Sequence, residues 1–429
     1  MKKKYRIILY TSIFLLCVVA SIILVVKKSN SVYEEESKPK VVKHKSMLSM
    51  NLEQTAGAGD YKTVTQSKWP TEGYKFNAEL SRCENGSTLS WDDTKKAVIV
   101  SGNLSDKCYV YFDIYQPTLA EYIKSQYTGT QGENNIYYHD SDLANGAGDN
   151  SYRYAGANPN NFVCFGTTES PCPTDNLYRI IGVFGENYHG VTGKQLVKLI
   201  KYDYMTTDEL GTDGDYSQTY KEWGMDSTYK GTYGDGERIG VYYWNYKATG
   251  SATNTWSTSL LNKTNLNTNF INNIGTTWAN KIATVTWKVG GNTWANIGTK
   301  TSSVAYTNEI TNPVTTNTTD NATTYSAKIG LMYVSDYGFA ASPDAWTLTM
   351  SSYNNTTATN NNWMYMGLYE WTISRLADYS TYAFVVRYDG SVNRFSVDSR
   401  DGVRASFNLE SSVSYVSGSG SMSDPIVIN

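Results

Sequence analysis

Residues 7–26 form an uncharged run rich in Ile, Leu and Val, and this run constrains the chain more than any other feature. A helix of this length rises about 30 Å, which matches the hydrocarbon core of a bilayer. Four basic residues precede the run and two follow it, and this asymmetry favours a cytoplasmic N-terminus. We therefore predict a single-pass cell-membrane protein, anchored in the lipid bilayer through residues 7–26, with an extracellular C-terminal part.

A cleaved signal peptide is the alternative interpretation of the same run. The apolar region of such peptides usually has about 7 to 15 residues and ends at a small-residue cleavage site. Cleavage beside Ala20 and Ser21 would leave the apolar stretch 22–26 at a new terminus. We therefore favour the uncleaved anchor, and cleavage stays open.

The charge and the aromatic content restrict the function. The net charge is −3, which argues against a nucleic-acid partner. Aromatic residues make up 14% of the chain, with 36 Tyr and 11 Trp, whereas only 3 His are present. Such a composition favours stacking and hydrogen bonding over histidine-based catalysis.

Four cysteines follow the apolar run, namely Cys83, Cys108, Cys164 and Cys172. An even number in an exported chain indicates two disulfide bonds, and three pairings are possible. Proximity in the sequence favours Cys83 with Cys108 and Cys164 with Cys172. Zinc is not expected, because no pair has the two-residue spacing of zinc ligands and no His lies close by.

The pattern along the chain predicts five segments. Residues 1–28 form the cytoplasmic tip and the anchor, 29–58 a polar stalk, 59–117 a small β domain, 118–135 a helical connector and 136–429 a large domain. Alternating apolar runs at 97–100 and 109–112 indicate the β domain. Thr118 followed by Glu121 is a capping box that begins the connector helix.

The large domain alternates short apolar runs with polar loops. Asp389-Gly390 between Val386 and Val392 predicts a tight hairpin turn. Leu266, Phe270 and Ile274 recur at four-residue spacing and indicate a helix. Residues 300–327 are rich in Thr and Asn, so we expect an exposed insertion there.

Several segments of the large domain resemble, in order, a family of bacterial cell-surface domains. They are Leu177 to Val183, Leu196 to Ile200, Trp256 to Phe270, Ile329 to Asp336, Asp389-Gly390 and Gly402 to Arg404. That family is similar to the C-type-lectin-like fold of the formylglycine-generating sulfatase-modifying enzymes, whose Trp-containing segment looks like 367–372 here. The resemblance covers about residues 150–410. It implies an α+β fold in which a C-type-lectin-like mixed domain with long loops follows the small disulfide-stapled all-β unit.

Two departures from these relatives limit what the resemblance implies. The formylglycine-generating enzymes use a late cysteine pair with copper, and no cysteine follows Cys172. Calcium-dependent lectins of this fold carry Glu-Pro-Asn or Gln-Pro-Asp and a Trp-Asn-Asp triplet, which this sequence lacks. We therefore expect no metal and no cofactor.

The candidate site residues fall into a structural and a binding group. The resemblance places Trp371 in the core, and Arg404 is expected to pair with Glu370 or Asp336 in a structural role. Aromatic residues in predicted loops are the candidates for ligand binding. They are Trp346, Trp363, Tyr365 and Tyr379, and at least two of them are expected to line one surface cleft.

The function predicted from the sequence is non-catalytic binding or adhesion, with a glycan or a surface protein as the partner. No nucleophile with a suitably placed base is evident, so no catalytic residue is predicted. A glycan-modifying enzyme on the same fold and a structural component of the cell envelope are the alternatives.

Overall fold

A computed structural model describes residues 48–65, 68–70, 73–224, 227–314 and 322–429. The chain divides into two compact units, Met1–Tyr115 and Gln116–Asn429. The predicted anchor and most of the predicted stalk therefore lie outside the described residues. The predicted stalk ends at residue 58, but its part from Leu48 to Glu53 forms a strand, and Met50 and Leu52 of this strand are buried in the first unit.

The first unit consists of six strands. They are β1 (Leu48–Glu53), β2 (Tyr61–Val64), β3 (Tyr74–Cys83), β4 (Thr88–Asp92), β5 (Ala97–Ser101) and β6 (Cys108–Ile114). Four of them form a sheet in the order β2-β1-β6-β3, in which β1 and β6 run parallel, and β4 and β5 form a hairpin. Val110 and Phe112 alternate with half-buried positions on β6 and fill the small core with Met50 and Leu52.

Both predicted disulfide bonds are confirmed. Cys83 and Cys108 face each other across β3 and β6 with Cα atoms 4.0 Å apart. Cys164 and Cys172 are 5.8 Å apart and close a short loop in the second unit.

The second unit contains many short strands and short helices. Its strands are β7 (Ile136–His139), β8 (Ser151–Tyr154), β9 (Phe162–Cys164), β10 (Leu177–Phe184), β11 (Leu196–Lys201), β12 (Tyr216–Thr219), β13 (Gly240–Tyr243), β14 (Val285–Lys288), β15 (Thr324–Ala327), β16 (Ile329–Gly330), β17 (Glu370–Arg375), β18 (Tyr382–Val386), β19 (Val392–Ser396), β20 (Arg400–Asp401), β21 (Ser406–Asn408), β22 (Tyr415–Ser417) and β23 (Val427–Ile428). Its α-helices are α1 (Leu119–Ser125), α2 (Glu186–His189), α3 (Thr207–Leu210), α4 (Tyr220–Trp223), α5 (Ile271–Ala279), α6 (Ser302–Tyr306), α7 (Val334–Ala340) and α8 (Thr356–Asn360). Two π-helices, Leu261–Phe270 and Thr307–Thr311, and several 3-10 turns complete it, the turns being Glu133–Asn135, Thr174–Asn176, Trp256–Thr258, Trp294–Asn296, Pro343–Ala345 and Met350–Ser352.

A large antiparallel sheet organises this unit. Its order is β16-β21-β11-β10-β8-β7, and β9 pairs with the outer part of β10. Every residue of β10 and β11 is buried, because other parts of the chain cover both faces of the sheet. The helical segment 261–279 packs against this sheet, with the Phe270 ring 6.2 Å from the Phe407 ring of β21.

Smaller sheets surround the large one. Three strands pair in the order β12-β13-β20 and three in the order β17-β18-β19, while β14 pairs with β15 and β22 with β23. Val386 pairs with Val392 across the hairpin that the Asp389-Gly390 turn predicted. Gly390 has φ +88°, a left-handed conformation that glycine adopts without a steric penalty.

The outer edge of β7 is covered by a nearby loop. Tyr138 N donates to Gln131 Oε1 at 2.9 Å, and Gln131 Nε2 donates to Tyr138 O at 2.8 Å. Gly132 N donates to Ile136 O at 3.0 Å on the same edge. The groups of β7 that point away from β8 are thus already hydrogen-bonded.

The predicted fold class was wrong. Strand accounts for 33% of the described residues and helix for 21%, so β-structure predominates, which contradicts the predicted α+β lectin-like mixed domain. The sheet that was expected to be mixed is antiparallel throughout. Part of the Thr/Asn-rich segment folds as α6, a π-helix and β15, because Ala305, Tyr306 and Ile310 enter the core.

The predicted localisation is also corrected. Within the residues that the structure describes, no helix has both the length and the apolar character needed to cross a membrane. Residues 7–26, on which the single-pass prediction rested, are outside the described ranges.

Candidate binding surface

Three of the four aromatic residues predicted to bind a ligand are buried. Trp346 is 0% exposed, Trp363 4% and Tyr365 6%. Their polar atoms are used internally, since Trp346 Nε1 donates to Ala341 O and Trp363 Nε1 to Tyr154 O, both at 2.8 Å. The predicted cleft is therefore not formed by these rings.

Two observations explain why these tryptophans are core residues. The guanidinium group of Arg179 covers the ring of Trp363 at 4.6 Å. Burial lowers the pKa of this arginine to about 9. The ring of Trp346 contacts that of Phe339 edge to face at 5.5 Å, as interior aromatic pairs do.

Tyr379 is the exposed member of the predicted set, at 52%. The Arg394 guanidinium group lies 5.6 Å from its ring and 5.1 Å from the ring of Trp294. Tyr379 thus lies at the surface beside Arg394 and Trp294, whereas the other three predicted residues are buried.

Trp371 and Arg404, the two residues expected to have structural roles, are both buried. Trp371 is 0% exposed, and its Nε1 donates to Tyr242 O at 2.9 Å. Arg404 binds both carboxylate oxygens of Glu370, through Nε at 2.8 Å and Nη2 at 2.9 Å. Because both residues are buried, this bidentate pair links β17 to the irregular segment that precedes β21.

A different group of aromatic side chains is partly exposed on the second unit. We call it the Tyr369 surface and define it as Trp223, Tyr369, Arg387, Tyr388 and Phe395. The Tyr369 ring is central to it, with the ring centroids of Phe395, Tyr388 and Trp223 at 5.2, 5.3 and 6.1 Å. Trp223 is the most exposed ring, at 37%.

Separate elements position these rings. Trp223 ends α4, which begins with a capping box in which the Thr219 hydroxyl accepts from Glu222 N. Tyr220 of the same helix is buried, contacts the Trp223 ring at 5.3 Å and donates its hydroxyl to Tyr369 O at 2.8 Å. Tyr388 lies in the β18–β19 turn. The β18–β19 hairpin and helix α4 thus carry the rings of this surface, and the buried Tyr220 connects α4 to Tyr369.

Charged groups border the rings. Arg387 lies with its guanidinium carbon 5.5 Å from the Tyr388 ring and forms an ion pair with Asp389 at 3.3 Å. Burial lowers the pKa of Arg387, but the Tyr369 hydroxyl and the Asp389 carboxylate outweigh this effect and raise it. Asp389 in turn accepts from the backbone N–H and hydroxyl of Ser391. Hydrogen-bonding groups and ring faces therefore occur side by side.

The rings of the Tyr369 surface are tilted against one another. Tyr369 makes interplanar angles of 33° with Phe395, 39° with Trp223 and 58° with Tyr388. The faces therefore bend around the central ring and do not form one flat platform.

Sequence reasoning missed the Tyr369 surface because exposure is set by tertiary contacts. One available signal was the Asp389-Gly390 turn, since residues in a hairpin turn lie at the surface and Tyr388 immediately precedes it. Trp223 gave no comparable signal. Comparisons with known protein families, with curated proteins and with solved structures find no match for this chain.

Proposed function

We propose that the second unit binds a carbohydrate at the Tyr369 surface without transforming it. The proposal rests on one observation: four neighbouring rings, with a guanidinium and a carboxylate beside them, form one partly exposed group. The resemblance to bacterial cell-surface domains remains a prediction and is consistent with such a role.

The chemistry of these side chains suits a sugar ring. A sugar has an apolar C–H face that packs on an aromatic ring, and hydroxyls at its edge that need donors and acceptors. Tyr369 and Tyr388 offer ring faces, while Arg387 and Asp389 offer a donor and an acceptor next to them.

The polar groups favour binding over catalysis. Arg387 stays protonated under all ordinary conditions and cannot act as a general base. Asp389 is held in place by Arg387 and by Ser391, and its remaining lone pairs can still accept a hydrogen bond from a ligand. Their role in the proposal is to orient a ligand.

A test compares the purified full chain with Trp223→Ala and Tyr388→Ala variants on a glycan array and then by titration with the bound glycan. Loss of one stacked ring should weaken binding by roughly tenfold, because such contacts contribute about 0.5–1.5 kcal/mol beyond their buried area. Thermal unfolding should change little, since these rings are partly exposed.

Tyr246→Ala is the matched control. Tyr246 is 45% exposed and stacks on Tyr243 at 4.5 Å, outside the Tyr369 surface. Equal binding by all variants, or binding to proteins alone, would contradict the proposal. Turnover of the glycan would favour the enzyme alternative.

A further inference from the structure

A buried lysine and a buried aspartate meet in the core of the second unit. Lys198 Nζ on β11 lies 2.6 Å from Asp336 Oδ2 on α7, and both side chains are 0% exposed. The two residues are 138 positions apart in the sequence. Their contact joins strand β11 of the large sheet to helix α7.

The surroundings of Lys198 make its amine a potential nucleophile. The rings of Tyr333, Tyr188 and Trp287 lie 4.3, 4.9 and 5.0 Å from Nζ. Burial lowers the pKa of Lys198, although Asp336 opposes the shift. Desolvation of the ammonium group favours the neutral amine, which is the nucleophilic form.

Tyr188 contacts both reacting groups. Lys198 Nζ donates to the Tyr188 hydroxyl at 2.7 Å, and this hydroxyl donates to Asp336 Oδ1 at 2.6 Å. The hydroxyl can therefore accept a proton from the nitrogen while it gives its own proton to the oxygen. This is the geometry of a proton relay between an attacking group and a leaving group.

Two further donors face the same carboxyl group. Tyr333 N donates to Asp336 Oδ2 at 3.0 Å. Arg153 Nη1 lies 3.8 Å from Asp336 Oδ1 and is a buried atom without a hydrogen-bond partner among the described residues. The donor at Oδ2 can stabilise the negative charge that develops on a carbonyl oxygen under attack, whereas Arg153 lies beside the other oxygen, Oδ1.

We propose that Lys198 and Asp336 become joined by an amide bond that the protein forms itself. Two protons of the Lys198 ammonium group pass through the Tyr188 hydroxyl to Oδ1, the first before the amine attacks Cγ and the second after it. The Nζ–Cγ bond forms, the Cγ–Oδ1 bond breaks, and Oδ1 leaves as water. Oδ2 remains as the amide oxygen, held by Tyr333 N. The reaction needs no oxidant and no co-reactant, and it removes two buried charges.

Peptide mapping of the purified, reduced full chain tests the bond directly. Trypsin does not cut after an acylated lysine, so peptide 195–201 should appear joined to peptide 329–375, at their summed mass less one water. Recovery of peptide 195–198 with a free Lys198, and of peptide 329–375 alone, would overturn the proposal. Cleavage after Lys201 is an internal control, because Lys201 lies equally close to Glu209, at 2.6 Å, but Glu209 is 19% exposed.

The role of Tyr188 has its own test. Tyr188→Phe keeps the ring that stacks on Phe184 at 4.0 Å but removes the relay. The rate at which the joined peptide accumulates after refolding should fall by about 10² to 10⁴, the usual contribution of general acid–base catalysis. Circular dichroism should show an unchanged fold. If Tyr188 had only a structural role, its replacement would alter the fold together with the rate of bond formation.

Tyr353→Phe is the matched control. Its hydroxyl is also buried, but it donates to Gly338 O at 3.0 Å and lies outside the group of residues around Lys198 and Asp336. This variant should form the joined peptide at the wild-type rate. Equal rates in Tyr188→Phe and the wild type would overturn the relay, and a joined peptide in Asp336→Ala would overturn the assignment of Asp336.

Discussion

At the scale of single residues, Glu309 stands apart from the other carboxylates of the core. It lies on the π-helix Thr307–Thr311 and is buried. Its oxygens accept from Val334 N at 3.0 Å and Ser335 N at 2.9 Å, and Ser374 donates its hydroxyl to it as well. Burial outweighs these hydrogen bonds and raises the pKa of Glu309 from 4.5 to about 7.

The raised pKa predicts a pH dependence of stability. Because the folded state holds the proton of Glu309 more tightly than the unfolded state, this stabilising contribution is complete below pH about 4.5 and is lost as the pH rises to about 7. The change is about 3 kcal/mol. Urea unfolding of Glu309→Gln at pH 5 and 7.5 should show a smaller loss of unfolding free energy than the wild type. An equal loss in both proteins would contradict the assignment.

At the scale of elements, the Cys83–Cys108 bond links β3 to the central strand β6 of the first unit. The core of this unit is small, so a cross-link between strands contributes a large share of its stability. The bond closes a loop with a sequence separation of 25 residues.

Replacement of both cysteines by alanine should lower the unfolding free energy of the first unit by about 3 kcal/mol, following the loop-closure entropy. Hydrogen exchange should then accelerate by about 10² in β1 and β6 and stay unchanged in β10 and β11. The Cys164–Cys172 double variant is the matched control and should leave β1 and β6 at wild-type rates. Acceleration in both units would show that the bond does not act locally.

Local elements were the part of the fold that the sequence predicted well. The Asp389-Gly390 hairpin, the capping box at Thr118 and the two short-range disulfide bonds each depend on neighbours in the chain. Trp371, which the resemblance placed in the core, is 0% exposed. These features follow from turn geometry, hydrogen bonding within one helical turn and short loop closure.

At the scale of the whole molecule, long-range contacts determine which side chains are exposed and which distant residues meet, and neither could be predicted from the sequence. Trp346 is 0% exposed and Trp223 37% exposed, because Trp346 packs against rings of the main core such as Phe339. The contact of Lys198 with Asp336 spans 138 residues and depends on the register of the large sheet. Neither periodicity nor spacing encodes such pairings.

The covered edge of β7 has a consequence for the way in which copies of this protein meet. An open strand edge offers a template on which a second chain can add its own strand, and natural proteins block such edges. Here the amide of Gln131 takes the place of a neighbouring strand, since it satisfies both Tyr138 N and Tyr138 O. Gln131→Ala should therefore increase the share of dimers and larger assemblies in sedimentation velocity, at a concentration matched to the wild type. Gln126→Ala, which removes an exposed amide that bonds only to Ser125 at 3.3 Å, should not. An unchanged distribution in Gln131→Ala would show that this single amide is not what keeps neighbouring molecules from joining their sheets.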